Sequence, residues 1–272
     1  MLGEAIYYWR MAVGIYRFLR TKPLPDPEAV IRHQLENREA IFLDIVQRVI
    51  FSNPRHPYHQ MFRLAGCAFG DLAQGVAKDG LEPTLAALHR QGVHLTHDEF
   101  KGKTPIVRSG RHIPARTSDF RNPLVAGWME SRTSGSRSDG TITPMSTQYR
   151  LYREARYVLR DREFGLSGRA HIEVKPILPS ISGLEPCLRA HRGGQRVERW
   201  FALPGGLRES GHYRGLTRGL VAFGNLLGAK APYPTYLPPN DFAPVAEWIA
   251  RRRLQGATCV VDSYTSTAVR VA

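Results

Sequence analysis

The sequence is poor in the features that tie a protein to the cell exterior or to a bilayer. Its three cysteines, Cys67, Cys187 and Cys259, lie far apart in 272 residues. They lack the paired spacing of a disulfide framework or a zinc site, which fits a reducing cytoplasm. No uninterrupted apolar run approaches the ~20 residues that span a bilayer. Arg10, Arg17 and Arg20 interrupt the N-terminal apolar run and no small-residue cleavage site follows, so the layout of a signal peptide is missing. Acidic residues are also scarce: 24 Asp+Glu face 38 Lys+Arg, a formal net charge of +14. That imbalance points to a polyanionic partner, whether nucleic acid, an anionic membrane surface or a phosphorylated ligand. No run of five or six like charges occurs, however, and the densest cluster is Arg251-Arg252-Arg253, so a generic basic surface is the expectation.

Several chemical signatures are missing as well. There is no dinucleotide fingerprint, no G-x-S-x-G elbow and no H-E-x-x-H. His56/His59 and His94/His97 have a two-residue gap but no third clustered ligand, so no metal site is expected. Asp98-Glu99 sits in a polar turn and reads as solvated or capping. No catalytic residue is assigned.

What is present is a core: 42% of residues are hydrophobic, enough for one large domain or two small ones. Residues 2–20 place Leu2, Ile6, Trp9, Val13, Tyr16 and Leu19 at helical spacing. This is either a helix packed on the body of the protein or an interfacial membrane helix with basic flanks. Asp26-Pro27-Glu28 starts a helix that is expected to run inward-facing through Ile41, Phe42, Ile45, Val46, Val49 and Ile50 to Asn53-Pro54. Gly66, Gly80 and Gly92 close shorter helices. Residues 1–92 form a mainly helical region, and 93–272 an α/β region. In the latter, short extended segments flank a Ser109-Gly110 turn. A helix follows with Tyr149, Tyr152, Ala155, Val158 and Leu159 on one face. Strands at Ala170–Leu178 and Val197–Leu203 then alternate with helices at 183–190, 212–228 and 240–256. A buried strand, Ala257–Val261, comes last. The expected fold class is α/β: a helical N-terminal region followed by a mixed sheet flanked by helices. Ala268–Ala272 begin a helix of under two turns, which is not self-supporting; the expectation is a chain truncated at its C-terminus.

One stretch stands apart. Ser131–Thr141 packs six hydroxyl side chains, two glycines and two arginines into eleven residues, with nothing apolar. Glycines let backbone N–H groups approach an anion and hydroxyls add neutral donors. Gly135 and Gly140 have the spacing G-x-x-x-x-G, but Thr141 and Ile142 stand where a Walker loop needs Lys then Ser/Thr. Composition alone leaves two readings, a solvated linker or an anion cradle.

Thr133-Ser134-Gly135-Ser136-Arg137-Ser138-Asp139-Gly140-Thr141 resembles the Ser/Thr/Gly-rich phosphate loop of the adenylate-forming, acyl-activating enzyme superfamily, and within it the phenylacetate–CoA ligase-like branch. The segments Asn53–Gly66, Val93–Gly102 and the closing strand with Ser266–Ala272 resemble the same branch. The resemblance covers roughly residues 40–272, and only the loop is specific to function. It implies an incomplete adenylate-forming N-terminal domain whose loop, Thr133 through Thr141, holds the phosphates of ATP. It also implies Mg²⁺, a small carboxylic acid substrate and an acceptor thiol such as CoA. Arg137 stands where most of the superfamily has a second Thr or Ser, and the lysine that often ends the loop is missing. The family's magnesium-holding acid, ribose-binding aspartate and lid lysine lie beyond Ala272, so a missing C-terminal half or lid is the implied partner. Two other readings stand beside it: a catalytically incomplete remnant acting as a binding module, and a basic nucleic-acid or membrane-surface protein.

Overall fold

A computed structural model describes residues 2–22, 24, 26–125, 127–132, 142–193, 195–203 and 211–271. The chain forms two compact units, one of residues 31–125 and one that joins 1–30 to 126–272. Composition changes at residue 93, whereas the compact units part at residues 30/31 and 125/126.

Helix α2 (Pro27–Glu36) leads into the 31–125 unit, where α3 (Arg38–Ile45), a π-helical turn (Val46–Phe51), α4 (Pro57–Leu64), α5 (Phe69–Asp79), α6 (Leu81–Arg90) and α7 (His97–Phe100) precede a hairpin of β1 (Ile106–Arg108) and β2 (Arg111–Ile113). The single helix expected from residue 27 to 53 is broken at Asn37 and changes pitch at Val46. The π turn bonds Ser52 N–H to the Gln47 carbonyl, and this i→i+5 pattern rotates the faces away from a 3.6-residue period. Only Val46 and Val49 are buried, and Ile45 is 38% exposed. Val46 joins Met61, Phe62, Leu72, Val76, Leu88, Ile106 and Ile113 in one core. Gly66, Gly80 and Gly92 all take positive φ, as expected of helix ends, and Ser109 and Gly110 both do so in the hairpin turn (φ 48° and 73°), which matches the twist of the strands they join.

Asp98-Glu99 has a structural task. Glu99 accepts the Thr96 N–H in a capping box and takes both Nη groups of Arg108, at 2.7 and 3.0 Å; Arg108 also donates to the Gly92 and His94 carbonyls. The Arg108 hydrogen bonds hold the Glu99 carboxyl down at about 2. A depressed folded-state value means that its contribution is complete above the ordinary carboxylate range and is lost as pH falls toward 2. The melting temperature of the wild type is therefore expected to fall more steeply between pH 4.5 and 2 than that of Glu99→Gln; parallel curves would contradict this.

The other unit is built from α1 (Leu2–Arg20), β3 (Gly127–Arg132), β4 (Ile142–Ser146), α8 (Thr147–Glu163), β5 (Ala170–Pro176), α9 (Leu184–Ala190), β6 (Val197–Leu203), α10 (Gly211–Leu226), β7 (Pro234–Tyr236), α11 (Ala243–Leu254), β8 (Cys259–Ser263) and α12 (Thr265–Val271). The expected mixed sheet is instead wholly parallel, in the order β7-β6-β5-β8. Each of β5, β6 and β7 is followed by a helix before the next strand, and such crossovers return the chain in the same direction. β3 and β4 pair antiparallel, apart from that sheet. β7 falls inside the proline-rich connection and was not foreseen; as an edge strand beginning at Pro234 it sits where proline is tolerated.

The two faces of the sheet carry separate cores. Ala170, Ile172, Val174 and Phe201 meet Val245 and Trp248 of α11. On the opposite face Trp200 and Ala202 meet Leu184 and Leu188 of α9, Leu220 and Val221 of α10, and Met11, Ile15 and Phe18 of α1. The buried face of α1 is therefore Met11, Ile15 and Phe18 rather than the stripe expected from the sequence, of which Trp9 and Tyr16 are 71% and 47% exposed. Arg192 closes that helix, donating to the carbonyls of Phe18, Leu19, Thr21 and Lys22.

Two glycines mark close approaches here. A Cβ at Gly183 would lie 2.5 Å from the Trp200 ring, while one at Gly224 would meet the tip of Leu188 at 2.6 Å. The indole is pinned by its Nε1–H bond to the Lys175 carbonyl, 2.9 Å, whereas a leucine methyl can turn aside. Gly183→Ala is expected to cost about 3 kcal/mol and Gly224→Ala about 1 kcal/mol, read from urea midpoints; equal costs would refute the distinction.

Candidate functional site

The sequence-predicted site residues, Thr133, Ser134, Gly135, Ser136, Arg137, Ser138, Asp139, Gly140 and Thr141, lie outside the described residues. Their frame is described. β3 and β4 pair antiparallel from Gly127↔Ser146, through a bulge between Gly127 and Met129, to Arg132↔Ile142, so the nine residues connect two paired strand ends, and α8 begins at the residue after β4.

A second feature lies at the carboxyl edge of the parallel sheet. The chain runs β5, β6, β7 in one direction and returns for β8 on the other side of β5, which makes β5/β8 a switch point, where doubly wound sheets take their ligands. There the hydroxyl of Tyr264 donates to Ser182 Oγ at 2.7 Å, and Ser182 Oγ lies 2.8 Å from Ser180 Oγ. The Leu178–Pro179 bond that precedes this serine pair is cis.

The strongest chemistry among the described residues is on β5 itself. Alternation along the strand sends Ala170, Ile172 and Val174 to one face and His171, Glu173 and Lys175 to the other. Both faces are covered, so the whole strand is buried. β8 lies alongside in register Glu173↔Asp262, which adds a second carboxylate. Lys175 Nζ is 2.7 Å from Asp262 Oδ1 and 2.8 Å from Glu173 Oε2, the latter without hydrogen-bond alignment. His171 Nε2 is 3.5 Å from Glu173 Oε1. Burial pushes Glu173 up to about 8 against the pull of Lys175, and burial depresses His171 to about 4. Burial also opposes the charge on Lys175, but the two carboxylates outweigh it and raise its value. Asp262 moves down, because Lys175 overrides the effect of burial.

α8 and α9 cover this polar face, and they do so with charge. The face of α8 expected to point inward, Tyr149, Tyr152, Ala155, Val158 and Leu159, is only partly the buried one: Ala155 is fully buried, Tyr149 is 53% exposed, and Arg150 and Glu154 are each 3% exposed. Arg150 pairs with Glu154 at 3.0 Å, and Arg153 and Arg189 converge on Glu185 at 3.1 and 3.2 Å. The Tyr157 ring lies against the guanidiniums of Arg189, Arg160 and Arg153, the first at 3.7 Å. A face of mutually paired charges is compatible with burial, which a face of unpaired ones is not. Beside it, at the amino edge of the sheet, opens a cleft of about 270 Å³, lined in part by Tyr157, Arg160, Asp161, Ser167, His171 and Gln195.

The other residues singled out from sequence do not gather into a site. His56 caps α4, its Nδ1 accepting the Tyr58 N–H; His94 stacks on His89 with ring centroids 4.1 Å apart. By contrast, sequence reasoning found no metal-capable group, while the fold brings one ligand atom each of His171, Glu173 and Asp262 within 4.8 Å of one another. The available signal was the period-two placement of His171, Glu173 and Lys175 in a strand that helices on both sides would bury. No protein-family model, no curated protein and no solved structure matches this chain. Among the described residues, no helix is long and apolar enough to cross a membrane.

Proposed function

We propose that this chain carries the ATP-phosphate loop of an adenylate-forming, acyl-activating ligase of the phenylacetate–CoA ligase-like kind. The observation that carries this reading is the pairing of β3 with β4 up to Arg132↔Ile142. It hangs the run Thr133-Ser134-Gly135-Ser136-Arg137-Ser138-Asp139-Gly140-Thr141 between two fixed strand ends, where a linker needs no such support and an anion cradle does. The topological switch point at β5/β8 supports it, as a ligand position of α/β sheets.

In the reaction so proposed, a substrate carboxylate oxygen attacks the α-phosphorus of ATP in line, the bond to the β-phosphate oxygen breaks, and pyrophosphate leaves. The acyl adenylate then passes its acyl group to a thiol such as CoA, releasing AMP. The protein's part is to position the phosphates and to neutralise developing charge. Arg137, with a planar fork suited to phosphate, is the loop's own cation. Mg²⁺ would arrive with the nucleotide. The donor set His171, Glu173 and Asp262, with an imidazole in it and an ammonium beside it, does not suit Mg²⁺, which favours oxygen ligands and retained water.

ATP-dependent pyrophosphate exchange with a panel of aromatic and fatty acids tests the reading, together with the ATP-dependent rise in melting temperature. Exchange with any acid supports it. An ATP shift without exchange keeps the loop and removes the ligase. Neither signal removes both, and steeply salt-dependent binding to nucleic acid or anionic vesicles in their place would favour the basic-surface alternative.

A further inference from the structure

We infer that His171, Glu173 and Asp262 form a binding site for a divalent transition-metal ion, with Lys175 as the outer-sphere group that holds the two carboxylates in place. Lys175 donates a hydrogen bond to Asp262 Oδ1 and lies 2.8 Å from Glu173 Oε2 without hydrogen-bond alignment. The other atom of each carboxylate, Glu173 Oε1 and Asp262 Oδ2, is buried without a hydrogen-bond partner, and so is His171 Nε2. Asp262 Oδ2 has only a loose ion pair with Arg160 Nη1 at 3.6 Å. The side chains of His171 and Glu173 are 9% and 0% exposed, so bulk solvent does not reach these atoms.

Buried polar atoms without partners are few in folded proteins and each is destabilising. Here four of them, His171 Nε2, both Glu173 carboxylate oxygens and Asp262 Oδ2, come from the three residues whose ligand atoms converge within 4.8 Å. A single cation would take one ligand atom from each of the three residues. One imidazole and two carboxylates suit zinc, manganese or iron rather than calcium or magnesium, and three protein ligands leave a position for water or a small ligand. A way in exists, because His171 lines the 270 Å³ cleft at the amino edge of the sheet. The outer-sphere role of Lys175 follows the common pattern in which ligating carboxylates are themselves hydrogen-bonded. The site is independent of the nucleotide reading, since none of its residues belongs to the 133–141 loop.

The full chain, stripped with EDTA and returned to buffer, is titrated with ZnCl₂ by calorimetry and thermal melting. One equivalent is expected to bind and to raise the melting temperature, and His171→Gln or Asp262→Asn is expected to weaken binding at least tenfold. If the variants do not fold, the zinc-edge absorption spectrum of the wild type decides: one imidazole with oxygen donors supports the site. Two imidazoles or a sulfur ligand would place the ion elsewhere, for instance on the stacked His89–His94 pair. No bound equivalent, or equal binding by folded wild type and His171→Gln, overturns the inference.

Discussion

Replacing Lys175 by methionine, with metal removed by EDTA, is expected to destabilise the α/β unit by about 3–5 kcal/mol, the range for removing one partner of a buried ion pair. The chain length and apolarity of the side chain are kept, so the effect is that of the ammonium. Lys175 stands between Glu173, whose side chain is 0% exposed, and Asp262, whose side chain is 15% exposed. Without it the two carboxylates face each other across neighbouring parallel strands, and at least one must take up a proton. Part of that cost is relieved in advance, because burial already holds Glu173 at about 8. Glu173→Gln alone is therefore expected to cost little, under about 1 kcal/mol. The triple variant Lys175→Met/Glu173→Gln/Asp262→Asn is expected to recover most of the loss, since removing all the charges together leaves no uncompensated ion. Urea midpoints for the four proteins make the comparison. A Lys175→Met cost below about 1 kcal/mol would mean that the ammonium is solvated and the cluster is not closed.

This cluster is also where the sequence was least readable. Helices were legible wherever apolar residues repeat at helical spacing and a glycine closes the run, as at Gly66, Gly80, Gly92 and Gly256, all of which take positive φ. The strand at 170–176 was legible too, from its β-branched residues. Its charged alternate positions look like a solvent face in one dimension, because what buries them comes from far along the chain. Asp262 is 87 residues from Lys175, and the cover is α8, whose buried face is Arg150, Glu154 and Ala155 rather than the aromatic face that hydrophobic periodicity selects. Hydropathy patterns assume that charge faces water; paired charges on two elements at once defeat that assumption. The π turn at Val46–Phe51 failed for a different reason, a local change in bonding period that no single side chain announces. The nine loop residues offer a chemical reading in the sequence, whereas the strand pair that flanks them, β3 and β4, was not read from it.

Within the 133–141 loop, Arg137→Ala is expected to weaken ATP binding by roughly 10- to 100-fold, the equivalent of losing one or two charge-assisted hydrogen bonds. The loop has no lysine at its end, so Arg137 is the one full positive charge among residues 133–141, opposed by Asp139. A triphosphate held only by hydroxyls and backbone N–H groups would bind with much of its charge unanswered. Arg137→Lys separates charge from fork geometry: a compact ammonium keeps the electrostatic part and loses bidentate contact, so an intermediate affinity is expected. Gly135→Val tests the other half, because a branched side chain removes the open approach that glycine gives a phosphate oxygen; a loss as large as that of Arg137→Ala is expected. Calorimetric ATP titrations at one ionic strength measure all three. If Arg137→Ala and Gly135→Val both leave the affinity of a folded protein within twofold of wild type, residues 133–141 are a solvated linker and ATP binds elsewhere. If only Gly135→Val weakens binding, the loop is a backbone cradle and Arg137 faces solvent.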